Sequence, residues 1–505
     1  LQGWGEVCKK LQGFAHYEKD QIPTILAIMT NKNDSGGVSE PHQLSTARLV
    51  LYGFGDTSFS LAITTVGAFL AVFLTDIVGI SPAYAAGAIF LGRTWDYISD
   101  PLLGFLSDRT RSPWGRRRPY ILFGTPFLGI TFALLWWVPP VEGQLALAVY
   151  YGVMYLLFTT AATVVFMPYV ALTPEIAPGY DQRTRVTGYR MAFSIAGSLV
   201  AFIVPLLIVG TFEAANAPRA LTMGVLFGLF FCIPLYTAFF AAKERGEFVH
   251  SKPPRLRDSV RAFMGNKAFL YGMGIFLLTW ITIDLIQALL LYYIKYVVVR
   301  DGYSELIMAS IFVSALVSLP LWDWLSRRFD KRRAMIYGYI GWIVVMVILS
   351  AFTAQVNLGL IVGLCVLAGL GVGAAHVMPW SILPDAIEVG EEKTGQRHEG
   401  VFYSVVFLVQ KAASSFAIPL ALLVLEAAGY RGDLTVQGPQ AIFALRMLMG
   451  LVPAVFLTGA IFLAVKYPLK REQHQALLAK LEAQRQSQSD ENSATGPGSI
   501  PAETE

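Results

Sequence analysis

Long, continuous runs of apolar residues recur along this chain of 505 residues and constrain its fold more than any other feature. Each run approaches the ~20 residues that an α-helix needs to cross a bilayer. The runs do not alternate in short segments as barrel strands do, and a helix satisfies its own backbone in lipid. Twelve membrane helices are therefore predicted, at about residues 47–75, 83–106, 119–138, 145–171, 188–210, 220–242, 269–298, 304–326, 334–353, 357–385, 402–427 and 441–466.

Composition excludes several classes of protein. Hydrophobic residues make up 55% of the chain and charged residues only 15%, whereas about a quarter of the residues of a soluble domain are charged. Cys8, Cys232 and Cys365 are too far apart for a redox or zinc motif. The sequence also lacks the HExxH, GxSxG and P-loop motifs of common enzymes. We therefore expect neither an enzyme nor a nucleic-acid partner, and no metal or cofactor beyond a coupling Na⁺ or H⁺.

Basic residues concentrate in alternate connections. They follow the second run (Arg109 to Arg118), fill the central segment and follow the eighth run (Arg327 to Arg333), whereas the opposite loops contain only Arg219 and Arg300. Since basic loops stay in the cytoplasm, we predict a multi-pass protein of the cell (inner) membrane with both termini cytoplasmic. Residues 1–28 precede Met29 and are expected to be an upstream extension without a cleaved signal peptide.

A weak internal repeat divides the chain into two halves. An acidic-then-basic connection, residues 104–118, follows the second run, and a similar one, residues 324–333, follows the eighth. This arrangement resembles the all-α major facilitator fold, with two six-helix halves around a midplane site. The expected organisation is an amino-terminal segment, a first bundle, a central loop, a second bundle and a disordered tail, at residues 1–45, 46–242, 243–268, 269–466 and 467–505.

The second apolar run carries ionisable residues, which are rare in membrane helices because they are costly to place in lipid. Arg93, Asp96 and Asp100 are spaced i, i+3 and i+7 and so share one helical face. Each such charge costs about 2.5 to 3.5 kcal/mol at the centre of a membrane helix. Two acids one turn apart can hold Na⁺ between hard oxygens or share a proton. The alternative is a pair between Arg93 and one acid that only locks helices, and we favour the cation site because Arg93 needs only one acid.

Several motifs resemble those of the glycoside-pentoside-hexuronide:cation symporters, the group that contains melibiose permease. They are Tyr-Gly-Phe-Gly at 52–55, the segments 96–101 and 109–116, Pro168-Tyr169, and Arg190 with its flanks. The resemblance implies that Asp96, Ser99, Asp100 and Thr163 bind the cation. It also implies that Arg190 and Lys411 belong to the polar network around the cavity.

The departures from that family concern the solute. Ser60 and Phe166 stand where melibiose permease has acids, and Val170 stands where it has a stacking Trp. Carboxylates bind sugar hydroxyls and Trp packs the apolar face of the ring, so a neutral galactoside is disfavoured. Arg190 and Lys411 would instead leave positive charge in the cavity. Because related motifs also occur in vertebrate sodium-lysophospholipid symporters, a lipid-like solute is the alternative to a sugar, glycoside or uronide.

Other polar residues in the runs have two interpretations each. Arg93, Asp284, Arg190, Lys411 and His376 are the candidate solute contacts. Asp284 could equally be bonded to another helix, and a lone His on an apolar helix is more often a core group than a proton relay. Asp108, Arg109 and Arg116 resemble the loop that hinges facilitator halves, so we assign them to gating.

These features together predict a secondary transporter. A receptor or scaffold would not need several buried charges on four different runs, whereas alternating access does. The expected function is cation-coupled symport of a sugar-like solute, with a sodium-coupled lysolipid symporter as the alternative. The chain is expected to work as a monomer surrounded by membrane lipid.

Overall fold

A computed structural model describes residues 45–176, 180–242, 266–352, 356–394 and 399–469, together with residues 473, 476, 477 and 480. Within these residues the secondary structure is helical, with no strand. The predicted amino-terminal segment, central loop and tail lie almost entirely outside the described residues and stay predictions, as do the domain boundaries.

The helices of the first half occupy the six expected runs. The first run is divided into two helices, α1 and α2, and α2 continues into a π-helical turn at Phe73–Ile77. Helix α3 begins with Pro82 in its first turn, where a missing N–H costs nothing. The bounds are α1 Thr46–Gly53, α2 Asp56–Val72, α3 Pro82–Arg109, α4 Arg118–Leu135, α5 Gln144–Ile176, α6 Tyr180–Val209 and α7 Ala217–Ala241.

The second half repeats this pattern. Asn266 caps the start of α8 by accepting a hydrogen bond from the Phe269 backbone N–H at 3.1 Å. Helix α8 ends in a π-helical segment, Tyr293–Val298, at the position equivalent to the one that ends α2. The bounds are α8 Lys267–Tyr292, α9 Ser304–Phe329, α10 Lys331–Ser350, α11 Leu358–Thr394, α12 Glu399–Ala427, α13 Pro439–Arg446 and, after a π-helical turn at Met447–Leu451, α14 Val452–Lys466.

Eleven helical stretches of the described chain are long and apolar enough to cross a membrane. Helix α3 spans 28 residues, about 42 Å at 1.5 Å per residue, yet it is not among them. Its charged residues lower its hydropathy, and those residues are the ones that the sequence marks as functional. All twelve predicted runs correspond to helices, so the all-α architecture is confirmed and the protein is a multi-pass membrane protein.

Within the described residues, three helix pairs make the most extensive contacts between the two halves. Helix α3 packs along α12, α2 packs against α8, and α6 packs against α9. The residues that face one another across these pairs therefore come from distant parts of the sequence. Any site at this interface is assembled by the packing of the halves.

The break between α1 and α2 follows from the Tyr-Gly-Phe-Gly motif. A Cβ on Gly55 would lie 2.8 Å from the ring of Tyr169, so only glycine allows this approach. The ring of Tyr169 also stacks on Tyr52, with centroids 4.7 Å apart. The motif thus fixes α1 and α2 against α5 and places Asp56 at the start of α2.

Cysteine labelling tests the predicted orientation. Glu142, in the connection between α4 and α5, and Arg111, in the basic connection after α3, are both exposed. Because basic loops stay cytoplasmic, Glu142→Cys should react with a membrane-impermeant maleimide added to intact cells, and Arg111→Cys only after permeabilisation. The reverse pattern would invert the topology.

Candidate functional site

Four side chains from both halves meet near the middle of the bundle, and we call them the cation cluster: Asp96, Asp100, Thr163 and Lys411. The Lys411 ammonium lies 2.9 Å from Asp96 Oδ2 and 2.5 Å from Asp100 Oδ2. The Thr163 hydroxyl lies 3.3 Å from Asp96 Oδ1 and 3.0 Å from Asp100 Oδ1. All four residues stand near the midpoints of their helices, the depth at which facilitator sites lie.

The cluster has the donor set of a hard cation. Carboxylate and hydroxyl oxygens are the ligands that Na⁺-like ions prefer. The Lys411 ammonium bridges the two carboxylates, so it holds the position that a bound cation would take. The side chains of Asp96, Asp100 and Lys411 are 29%, 17% and 33% exposed, so the protein does not enclose them completely.

Ser99 was also expected to supply an oxygen to the cation. It is buried beside the cluster, and its hydroxyl donates to the Asp96 backbone carbonyl at 3.1 Å. The structure therefore brings together Asp96, Asp100 and Thr163 directly, and turns the Ser99 hydroxyl towards its own helix. A role for Ser99 stays a prediction.

A second group, the arginine cluster, joins Arg93 of α3 to Asp284 of α8 and Ser414 of α12. Arg93 Nη1 lies 3.7 Å from Asp284 Oδ2 and donates to the Ser414 carbonyl at 3.1 Å. The Ser414 hydroxyl donates to the Asp284 carboxylate. Asp284 has no basic residue within a turn of its own helix, and its partner comes from the other half. The two clusters are adjacent because Arg93 and Asp96 share a face of α3, and Lys411 and Ser414 share a face of α12.

The charges of these two clusters do not cancel. Arg93 and Lys411 contribute two positive charges, and Asp96, Asp100 and Asp284 contribute three negative charges. Counted with all five groups ionised, the combined group carries one net negative charge, not the positive surplus expected from Arg190 and Lys411. Charge at this depth is costly unless it is paired, so the group favours the binding of one further cation.

Arg190 lies elsewhere, in a buried pair with Asp56. Its Nε donates to Asp56 Oδ2 at 2.5 Å, its Nη2 to Asp56 Oδ1 at 3.2 Å and its Nη1 to Thr173 at 2.9 Å. The Tyr169 hydroxyl lies 3.0 Å from the same carboxylate, and Arg190 is only 8% exposed. The fork of Arg190 is thus occupied within the first half. Sequence reasoning missed Asp56, although it follows the recognised glycine motif directly.

His376 stands at one end of a row of aromatic rings on the second half. Its ring contacts Trp280 with centroids 5.6 Å apart, and its Nδ1 lies 2.9 Å from the Val372 carbonyl. Phe276 contacts both Trp280 and Trp380, and Trp380 contacts Phe407. Trp280 precedes Asp284 by one turn of α8, and Phe407 precedes Lys411 by one turn of α12. This aromatic row therefore lies one turn from the charged residues, on the side of the basic loops.

The assigned gating residues lie at the end of α3 and in the connection that follows it. Arg109 is the last residue of α3 and is exposed, and Arg116 is partly exposed. The side chain of Asp108 lies outside what the structure describes. Their role in gating stays a prediction.

Comparison with known proteins shows the family. A family model for MFS/sugar transport proteins matches residues 51–471, so the chain belongs to this family of the major facilitator superfamily. The family and its relatives are transporters and not enzymes. Two solved transporters share the fold: the xylose transporter XylE from E. coli (TM-score 0.59, 14% identity, 86% of this chain and 99% of that one) and the nucleoside transporter NupG (TM-score 0.57, 12% identity, 84% and 98%).

Three relatives align with this chain over most of their length. The chain is 28% identical to an uncharacterised symporter of Synechocystis sp., over 86% of this chain and 96% of that protein. It is 29% identical to sodium-dependent lysophosphatidylcholine symporter 1-A of Danio rerio (92% and 94%) and 27% identical to sodium-dependent lysophosphatidylcholine symporter 1 of Homo sapiens (90% and 90%). These relatives support the major facilitator assignment, and the two with a named solute are lysophosphatidylcholine symporters, not melibiose permeases.

Proposed function

We propose that this member of the MFS/sugar transport protein family is a sodium-coupled symporter of a lysophospholipid-like solute. The observation that carries the proposal is the excess of one carboxylate over the basic side chains in the combined clusters, a formal net negative charge when all five groups are ionised. One Na⁺ at Asp96, Asp100 and Thr163 neutralises it. The sodium-dependent lysophosphatidylcholine symporters among the relatives agree with this interpretation and favour it over sugar transport.

In this mechanism Na⁺ competes with Lys411 for the two carboxylates. The ammonium lies within 2.9 Å of both acids, so a bound cation must displace it. Lys411 then becomes available as a hydrogen-bond donor on the second half. Sodium binding would thus create a positive site for the solute, and this sequence of events couples the two.

The side chains around the proposed sodium site suit a zwitterionic headgroup. Arg93 and Lys411 can donate charge-assisted hydrogen bonds to a phosphate. Asp284 and the neighbouring Trp280 can receive a quaternary ammonium, since carboxylates and aromatic faces both attract such cations. A zwitterion together with one Na⁺ leaves the site neutral, whereas a uronide would leave it with a net negative charge.

The aromatic row provides a surface against which an acyl chain can pack. Its rings are continuous from His376 to Phe407 and begin one turn from the charged residues. Phe407 is 43% exposed. An acyl chain against these rings would keep an apolar environment after it leaves the lipid.

Competition with matched solutes tests the headgroup. Unlabelled lysophosphatidylcholine should inhibit the sodium-driven uptake of labelled lysophosphatidylcholine into proteoliposomes at least about a hundredfold better than a monoacylglycerol with the same acyl chain. Two lost hydrogen bonds to charged groups, at ~1.5 to 3 kcal/mol each, account for this factor. Melibiose and a glucuronide serve as the sugar arms.

The outcome distinguishes the two solute classes. Sodium-dependent, saturable uptake of the lysolipid that neither sugar inhibits supports the proposal. Uptake of the glucuronide with no effect of lysolipid would replace it with the sugar-like alternative. Equal inhibition by the monoacylglycerol would remove the assigned role of Arg93 and Lys411.

A further inference from the structure

A third polar cluster joins the two halves at the end of the bundle opposite the basic loops. Its centre is Asp76, in the π-helical turn that ends α2, and its side chain is fully inaccessible. The carboxylate accepts hydrogen bonds from Lys295 Nζ at 2.6 Å, the Tyr296 hydroxyl at 2.6 Å and the Tyr430 hydroxyl at 2.5 Å. All three donors belong to the second half, and Thr75 adds a fourth bond at 2.8 Å.

Further contacts extend this connection. Lys295 also donates to the Phe212 carbonyl of the first half at 2.7 Å, and the hydroxyls of Tyr292 and Thr75 lie 2.8 Å apart. The connection after α12 lies directly on the end of α2, since a Cβ on Gly432 would be 2.0 Å from the Thr75 carbonyl oxygen. The two halves therefore meet here in a largely buried polar contact.

Both helices change to π-helical geometry where they meet. The segments are Phe73–Ile77, which follows α2, and Tyr293–Val298, which follows α8, so each ends the first membrane-spanning run of its half. Single π-helical turns interrupt the regular hydrogen-bond pattern and are frequent at functional sites. They set the register at which Asp76 faces Lys295 and Tyr296.

We propose that Asp76, Lys295, Tyr296 and Tyr430 form a latch that closes this end of the transporter and opens in each transport cycle. A buried ion pair suits a contact that must break. Its ions regain hydration on opening, which offsets much of the lost attraction, whereas its geometry specifies a single closed state. None of these four residues belongs to the proposed solute site, so the latch does not depend on which solute is transported.

Opening of the latch can be measured by the accessibility of a residue that lies deeper in the bundle. Gln287 lies eight residues before Lys295, about 12 Å deeper along α8, and its side chain donates across the halves to the Thr64 carbonyl at 3.2 Å. The reporter is Gln287→Cys in a background with Cys8→Ser, Cys232→Ala and Cys365→Ala. A membrane-impermeant maleimide is applied to intact cells, where it reaches the side opposite the basic loops, and in parallel to inverted vesicles, where it reaches the side of the basic loops. Asp76→Asn should accelerate labelling from that side at least about tenfold.

An exposed ion pair on the same face provides a matched control. Arg431 and Asp433 lie 2.8 Å apart with side chains 66% and 61% exposed, and both belong to the connection after α12. Hydrogen bonds from Arg431 hold the pKa of Asp433 below its usual range, so this pair is also charged at neutral pH. Because it does not join the halves, Asp433→Asn should leave labelling unchanged.

Conservative variants guard against misfolding. Tyr296→Phe with Tyr430→Phe removes two hydrogen bonds to Asp76 without leaving an unpaired charge, and it should accelerate labelling in the same direction. Unchanged labelling in both the Asp76 and the tyrosine variants would overturn the latch. So would equal acceleration in Asp433→Asn, or acceleration from the side of the basic loops.

Discussion

Asp100→Asn is expected to abolish sodium-driven accumulation of solute while leaving part of the equilibrium exchange. The change removes one negative charge from a group with a net charge of −1, so the group no longer requires a cation. Asp100 also contacts both Lys411 and Thr163, and an amide replaces a charged ligand oxygen with a neutral one. The apparent sodium affinity should fall at least about a hundredfold, the effect of ~2.7 kcal/mol.

The measurement is solute uptake into proteoliposomes at a series of sodium concentrations, with counterflow recorded in parallel. Asp323→Asn is the matched control, because Asp323 forms an exposed pair with Arg327 at 2.9 Å on α9. Such pairs contribute about 0 to 1 kcal/mol. Full sodium dependence in both Asp96→Asn and Asp100→Asn would refute the cation site. Loss of both equilibrium exchange and sodium-driven accumulation would indicate damage to the fold.

Asp56→Asn is expected to destabilise the protein by about 3 to 5 kcal/mol, the usual cost of leaving one member of a buried ion pair without its partner. Asp56 and Arg190 are only 5% and 8% exposed. The remaining guanidinium would be held between Thr173 and the ring of Tyr169, 5.0 Å from its centroid, without a counter-charge. Equilibrium unfolding in mixed micelles gives the free-energy difference.

Two comparisons distinguish a structural role of the pair of Asp56 and Arg190 from a role in solute binding. Asp56→Leu with Arg190→Met removes both charges and should recover much of the stability, since apolar replacements of a buried pair are often neutral. Asp323→Asn should again change stability by no more than about 1 kcal/mol. If Asp56→Asn and Arg190→Gln are both stable but bind the solute weakly, Arg190 contacts the solute, as predicted from the sequence.

The sequence by itself determined the class of protein and the position of its helices. The length of each apolar run is dictated by the thickness of the bilayer, so the runs alone suffice to place the twelve helices. The face of α3 that carries Asp96 and Asp100 could also be predicted, since residues four apart on a helix are neighbours. Both inferences depend only on local geometry and on the solvent.

Only the tertiary structure decided which charges pair. Lys411 and Asp100 are 311 residues apart, Arg190 and Asp56 are 134 apart, and Lys295 and Asp76 are 219 apart. Helical periodicity relates residues within one helix and carries no information about partners on another. The helices are also apolar on most of their faces, because lipid and protein neighbours are equally hydrophobic. Their sequences therefore do not reveal which face meets which helix, and the net negative charge at the centre became visible only when the two halves were packed together.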